Sequence, residues 1–453
     1  MLSAFANSLK IPELRQRIFF TFALIFLCRI LTAVPAPGVN PAALQELMDS
    51  LNAQASGAVG MANLFSGGAL QRFAIGALGI MPYISASIII QLMTAVVPTL
   101  ERLAREGESG RAKINQYTRY LTLILCAVQG YSIASVALNA PVTFNLSQPV
   151  VTISPWAFRL LATVSLTAAT MLMMWLGEQI TERGIGNGVS LIITVNILGS
   201  LPMALAQAKQ MFFPGGNVVP THSMFHLVTL IVLFFLVVAA TVAITQAMRR
   251  IPVQYARRVV GRKVYGGQST YMPLRVNYAG VMPIIFGQAI LMFPPPVMRF
   301  IGNRMEWDGL VRASGWFEFG TTPAMWIYGF MILFFSYFWV ATQFNPVQIA
   351  DDLKRNGGYI PGIRPGQPTA NFLDNVMTRL TLAGALSLTF IAVIPTLLGR
   401  HFNIPFIITS FFGGTSILII VGVMLDTMRQ IESHLLNRHY DGFLRKGKLR
   451  GRR

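Results

Sequence analysis

The sequence predicts an all-α polytopic membrane protein, with ten transmembrane helices in two inverted five-helix halves around a central pore. Three observations predict it. Of 453 residues, 53% are hydrophobic and only 12% are charged, about half the charge of an ordinary soluble domain. Ten continuous apolar runs approach the roughly 20 residues that a spanning helix requires. Finally, "GIMPYI" in the second run recurs as "GVMPII" in the seventh.

The runs lie near 18–36, 74–97, 117–138, 156–177, 186–207, 223–246, 277–298, 324–343, 377–398 and 404–425. They are continuous in polarity, which excludes the alternating strands of a porin-like barrel. Lys10, Arg15 and Arg17 precede the first run as in a secretory signal. Its apolar core is too long for one, contains Arg29 and is followed by nine more runs, so it reads as an uncleaved anchor. Cys28 and Cys126, in the first and third runs, lack metal-ligand spacing and read as packing residues.

Between the first two runs, "ANLFSGGALQRFAIGALG" (62–79) is apolar but interrupted by Gly67, Gly68, Gly76, Gly79 and Arg72. It is too short and too glycine-rich to span, and reads as a re-entrant segment; an ordinary interfacial helix is the competing reading. The second run, "ALGIMPYISASIIIQ" (77–91), is broken by Gly79 and Pro82 and ends on Gln91, an amide that lipid cannot satisfy. The seventh, "AGVMPIIFGQAI" (279–290), repeats this with Gly280, Pro283 and Gln288. Proline removes a helical hydrogen bond, so each helix begins or bends there.

Matching positions in two sets of five imply a duplicated unit, and because five is odd the second copy is inverted. The halves are 1–210 and 211–453. Chance recurrence of Gly-x-x-Pro in apolar sequence is the alternative; the matching helix index and downstream amides weigh against it. Irregular backbone survives at membrane depth only against protein or water, so the two broken helices are expected to line the central path.

With the N-terminus inside, the stretches 1–17, 98–119, 178–185, 246–275, 344–379 and 426–453 share one face. They hold 28 of the 36 Lys and Arg residues. That bias obeys the positive-inside rule and places both termini in the cytoplasm. The net charge of +19 therefore reflects topology first, with ribosomal RNA a possible contact. The sequence contains no G-x-x-x-x-G-K-[ST], H-E-x-x-H or G-x-S-x-G motif, so neither nucleotide hydrolysis nor these hydrolase chemistries are expected. His222 and His226 could share a helix face and hold a metal, but at a span entrance they read as an interfacial helix start. All 17 acidic residues lie in loops or at span ends, Glu178 and Asp426 nearest the membrane. Ion-coupled carriers place such groups at mid-bilayer, which disfavours the alternative of a small-solute secondary transporter.

"ALGIMPYISASIIIQLM" (77–93) and "MWLGEQITERGIGNGVSLII" (174–193) closely resemble the two signature segments of the SecY family, the channel subunits of the protein translocase. "GESGRAKINQYTRY" (107–120), "NPVQIADDLKRNGGYIPGIRPG" (345–366) and "GGTSILII" (413–420) extend the resemblance over nearly the whole chain. The resemblance implies a protein-conducting channel that passes secretory polypeptides and releases hydrophobic segments into lipid. It implies a pore ring of Ile80, Ile84, Val189, Ile193, Met282 and Ile419. Ile80 and Ile84, like Val189 and Ile193, are four apart and share a helix face. Such a collar blocks ions by dewetting and yields to a polypeptide. Val189 and the flexible Met282 depart from an all-isoleucine ring. Taken singly, any of these residues would read as lipid-facing.

The resemblance also assigns a plug to Asn63, Leu64, Phe65, Ser66, Gly67, Gly68, Ala69, Leu70 and Arg72. It assigns a lateral gate to spans two and seven, at Ser87, Gln91, Asn187 and Phe286, with Gln91 and Asn187 in a polar cluster. The loops 246–275 and 344–379 match the cytoplasmic protrusions that meet a motor or ribosome, through Arg249, Arg250, Arg257, Arg258 and Arg364. A topology signal is the alternative for these arginines. "GRKVYGGQSTYMPLRVN" (261–277) reads as a short hairpin turning at Gly266 and Gly267. SecE-like and SecG-like small subunits, the SecA ATPase, the ribosome, signal-sequence-bearing polypeptides and membrane lipid are the implied partners. No cofactor is implied, and the implied location is the bacterial inner membrane.

Overall fold

Each of the ten apolar runs carries helix in the computed structural model, which describes residues 11–54, 58–144, 148–213, 223–255, 258–260, 263–265, 269–292, 294–318, 321–402, 404–412 and 414–446. In lipid a helix satisfies every backbone polar group within its own segment. Helix accordingly forms the body of each apolar run. The helices are α1 (Pro12–Ala33), α2 (Pro41–Gln54), α3 (Ala58–Ser66), α4 (Met81–Val96), α5 (Pro98–Arg105), α6 (Glu108–Phe144), α7 (Pro155–Arg183), α8 (Gly188–Gly199) and α9 (Leu201–Phe212). They continue as α10 (Met224–Gln246), α11 (Met282–Met292), α12 (Pro294–Arg304), α13 (Asp308–Ser314), α14 (Thr322–Gln343), α15 (Pro346–Arg355), α16 (Gln367–His401), α17 (Phe406–Phe412) and α18 (Thr415–Lys446).

Among the described residues, seven helical segments are long and apolar enough to cross a membrane, or eight when α4 and α5, bent by 99° at Val97, count as one. The seventh run is shorter because α12 opens on Pro294, Pro295 and Pro296, which lack backbone donors. The tenth is divided between α17 and α18.

The chain divides into two compact units. The first comprises the described residues to Ser223, with Pro405–Ile408 and the chain from Val423 onward; the second comprises Met224–Ile404 and Thr409–Gly422. Helix α18 is shared, its first two turns with the second unit and its remainder with the first.

In the first unit α6 packs against α4 and α7, and α7 against α1 and α8. Phe73 and Phe158 meet at a ring separation of 5.7 Å within a core that includes Leu44, Ala134 and Ala162. Cys126 is buried with Ala77, Leu78 and Leu166, and Cys28 is also buried; both are free thiols. The tail of α18 is held by the Gly186 amide, which donates to Gln430 Oε1 at 2.9 Å, and by Ile431 packing on Leu14, Ile18 and Ile185.

In the second unit α14 packs on α11 and α16, and α10 on α16. Its extended part is a three-stranded sheet of order β4-β1-β5, formed by β1 (Met248–Tyr255), β4 (Ser269–Arg275) and β5 (Gly358–Tyr359). A separate pair joins β2 (Arg258–Val260) to β3 (Lys263–Tyr265). This corrects the hairpin expected over 261–277. Lys263–Tyr265 pairs backward with Arg258–Val260, whereas Ser269–Arg275 pairs with β1, Met248 opposite Arg275. The expected turn at Gly266 and Gly267 lies outside the described residues, as do Arg257 and His222. His226 sets its ring edge-on to Phe402 at 4.8 Å, an aromatic contact within the second unit.

Candidate functional site

The segment assigned as a plug is a nine-residue helix, α3, followed by irregular backbone up to Ile80. It is too short to span. Asn63, Leu64, Phe65, Ser66 and Ala69 are buried, while Arg72 is exposed. The helix stops because Gly67 and Gly68 take φ of 68° and 84°, a left-handed conformation open mainly to glycine. Asn63 and Ser66 organise the turn. The Ser66 hydroxyl donates to the Asn63 carbonyl at 3.1 Å and accepts from the Leu70 amide at 3.2 Å, and the Gly68 amide donates to the Asn63 carbonyl at 3.0 Å.

Two side chains from elsewhere in the first unit reach this turn. Asn196 of α8 donates from Nδ2 to the Phe65 carbonyl at 3.0 Å. Arg29 of α1 donates from Nη1 to the Gly67 carbonyl at 3.4 Å. In the sequence Arg29 stands as a charge within the first span, and Asn196 carries no assigned role. An arginine and an asparagine inside apolar runs were the available signals. Beside the turn lies a cavity of about 530 Å³, lined by Pro35, Val39, Leu44, Met48 and Arg72 among others.

Of the six assigned ring residues, four belong to the first unit. Ile80, the residue that opens α4, is buried with Ile84 and Ile193; Val189 is half-buried. Ile80 and Val189 converge on Gly177 of α7, where an added methyl would lie 3.6 Å from Val189 and 3.7 Å from Ile80. Gly188 makes this possible, since its Cα faces the Gly177 carbonyl oxygen with no room for a side chain. In the second unit Ile419 is buried and Met282 half-buried. Val281 packs directly on Gly422, so the start of α11 meets α18 one turn beyond Ile419.

Gln91 and Asn187, expected in one polar cluster, each make a local hydrogen bond. Gln91 donates to Ser87 on its own helix at 3.4 Å. Asn187 is exposed and caps α8, its Oδ1 accepting from the Ser190 amide at 3.2 Å. Asparagine satisfies an orphan amide at a helix start, and that local bond occupies the oxygen. Phe286 is buried, its ring edge-on to Phe335 at 5.9 Å and Trp339 at 5.6 Å on α14.

Two of the loop arginines lie on the three-stranded sheet, and a third follows its edge strand. Arg249 and Arg250 lie on β1 and are exposed. Strand β5, paired to β1 at Gln254 and Tyr255, leads directly into the loop carrying Arg364. Arg364 is exposed between Pro361 and Pro365, and its carbonyl accepts from the Thr369 hydroxyl at 2.8 Å. Ile251, Leu274, Ile360 and Phe344 pack beneath. Arg258 lies in β2. No ion pair involves Arg249, Arg250 or Arg364 among the described residues.

The SecY family model matches residues 74–428. The chain belongs to the SecY family. A protein translocase subunit SecY from Streptomyces scabiei is 45% identical over 452 residues, covering 98% of this chain and all of the relative. Among solved structures, one described as a protein conducting channel superposes with a TM-score of 0.58 at 15% identity, covering 96% of this chain and 94% of that one. A second, described as showing that the plug domain of the SecY protein stabilises the closed state and maintains a membrane seal, gives 0.56 at 16% identity with the same coverage. At those identities the structures attest the fold, that of a polytopic helical membrane protein. The family supplies the function, protein translocation.

Proposed function

We propose that this chain is a passive, gated protein-conducting channel, closed at rest by the segment Asn63–Arg72. The observation that carries this reading is the burial of a non-spanning segment whose turn is held by its backbone carbonyls. A seal made this way is specific in shape and weak enough to displace. Ile80, Ile84, Val189 and Ile193 supply one part of an aliphatic constriction, and Met282 and Ile419 the other. Spans two and seven form a lateral gate near Ser87, Gln91, Asn187 and Phe286, through which signal sequences and hydrophobic segments reach lipid. The chain performs no catalysis of its own. Its halves are 1–210 and 211–453.

The arginine-bearing sheet is the docking face for the SecA ATPase or a ribosome. SecE-like and SecG-like subunits brace the channel in the bacterial inner membrane, with both termini cytoplasmic. A small-solute transporter lacks support, because the carboxylates lie in loops or at span ends and not at mid-bilayer. The test uses the purified channel complex in vesicles, with SecA, ATP and a signal-bearing substrate. Deleting residues 64–72 should raise resting ion conductance while translocation continues. Background conductance in that variant would make the segment a plain interfacial helix.

A further inference from the structure

Arg29 is the one charged side chain the sequence sets in the interior of a span, and no motif explains it. Resting on the plug reading above, we propose that Arg29 is the residue that positions the plug in its closed state, gripping the backbone at the end of α3 together with Asn196. Three features of the structure converge on this.

The first is the target. The last carbonyls of a helix have no intrahelical partners, and that end carries the negative pole of the helix dipole. The Phe65 and Gly67 carbonyls stand at the C-terminal end of α3, and they receive a neutral amide and a guanidinium. A cation is the charge this end of a helix favours.

The second is the space cleared for it. A Cβ on Gly199 would lie 2.5 to 2.6 Å from Nη1, Cζ and Nη2 of Arg29, and one on Gly67 would lie 2.5 Å from Nη1. Glycine at both positions makes a slot for the flat guanidinium. Gly67 serves twice, since its positive φ also ends the helix.

The third is the charge balance. Among the described residues no carboxylate pairs with Arg29. A buried arginine–carboxylate fork would tie the plug down tightly. Carbonyl dipoles, opposed by the like charge of Arg72 on the segment itself, give a grip that a translocating chain can break. Once the plug leaves, the guanidinium loses its acceptor within the span, which favours return of the plug. Because the grip is on main chain, plug side chains can vary while Gly67, Arg29 and Gly199 stay linked.

The test measures resting conductance of the reconstituted full complex carrying Arg29→Gln, Arg29→Lys or Asn196→Ala, and of Arg29→Gln combined with deletion of residues 64–72. Arg29→Gln should raise the open-plug fraction, and with it the resting conductance, about tenfold, the equivalent of one charge-assisted hydrogen bond. Lysine should restore most of the seal, and Asn196→Ala should leak less than Arg29→Gln. Once the plug is deleted, Arg29→Gln should add nothing. Leu70→Cys should also react faster with an impermeant thiol reagent when combined with Arg29→Gln. Wild-type conductance in Arg29→Gln, with elevated conductance in the deletion, would overturn the grip and leave the plug standing. Background conductance in the deletion would instead sink the plug reading itself. An equal rise from Arg29→Gln in both backgrounds would show Arg29 acting without the plug. Should Arg29→Gln fail to accumulate, unchanged conductance and labelling in Asn196→Ala would also refute the proposal.

Discussion

Arg119 and Glu178 form a forked ion pair between α6 and α7, Nε to Oε1 at 3.1 Å and Nη2 to Oε2 at 2.6 Å. Arg119 ends the charged stretch at the start of α6, and Glu178 lies one residue after Gly177, the glycine that Ile80 and Val189 face. The fork thus fixes α7 in rotation beside the glycine on which Ile80 and Val189 converge. Glu178 keeps only 16% of its side chain exposed against 47% for Arg119, so the carboxylate loses more when the pair is broken.

Arg119→Gln should therefore destabilise the chain more than Glu178→Gln, because it strands the less exposed charge. The difference should be about 1 kcal/mol, the scale of a well-formed, partly exposed pair. Thermal unfolding in detergent of both single variants and the double variant measures the coupling. Additive losses would mean that the fork contributes nothing beyond its two separate residues.

The sequence made the helices legible because lipid imposes a single backbone solution, so apolar length translates directly into helix. Its glycine breaks were legible too: Gly67, Gly68, Gly79 and Gly280 all take positive φ. The donors that hold the turn at Phe65 and Gly67 were not. Their acceptors are backbone carbonyls, which every residue carries and no motif marks. Asn187 shows a different ambiguity, since a helix cap and a gate amide present the same residue type before an apolar run. The hairpin was misplaced because its register is set by β1, upstream of the Gly266–Gly267 pair that resembled a turn.

The crossing of α7 and α8 depends on two glycines in unequal ways. A methyl on Gly177 meets Ile192, Val189 and Ile80 at 3.3 to 3.7 Å, which side-chain adjustment accommodates. A methyl on Gly188 meets the Gly177 carbonyl oxygen and lies 2.8 Å from Ile180 Cβ. Gly177→Ala should be nearly neutral, whereas Gly188→Ala should cost about 1–3 kcal/mol through backbone displacement. Unfolding temperatures of the two variants decide it, and equal values would show that the helices do not need this close approach.

If Ile80 and Val189 form part of a dewetting collar, their polarity matters more than their volume. Val189→Thr nearly preserves shape but adds a hydroxyl that holds water. It should increase ion leak during translocation, when the plug is displaced, with little change at rest. Val189→Ile should leave leak at or below the wild-type level. Conductance recorded with a stalled substrate separates the two, and the same leak from both variants would remove Val189 from the constriction.

The loop arginines have two readings, a docking face and a topology signal, and the sheet gives a way to separate them. Arg249 and Arg250 stand at the start of β1, and Arg364 follows β5, which pairs with the far end of β1 at Gln254 and Tyr255, so only a partner broad enough to cover the sheet would engage all three. A docking face predicts that Arg364→Glu nearly abolishes motor-driven export, because a like-charge or unpaired-charge contact in an interface costs several kcal/mol. It also predicts that adding Arg250→Glu changes little more, since residues sharing one contact do not act additively. A topology signal predicts something different. Orientation follows the summed lysine and arginine count, so one reversal among the 28 charges on that face should have no effect, and Arg364→Lys should match wild type. For docking, lysine lacks the planar fork and should fall short. Export should be measured in inverted vesicles, with loop orientation checked by protease accessibility. Normal export from Arg364→Glu in correctly oriented protein would exclude the docking face, and lost export with an inverted loop would return these arginines to topology.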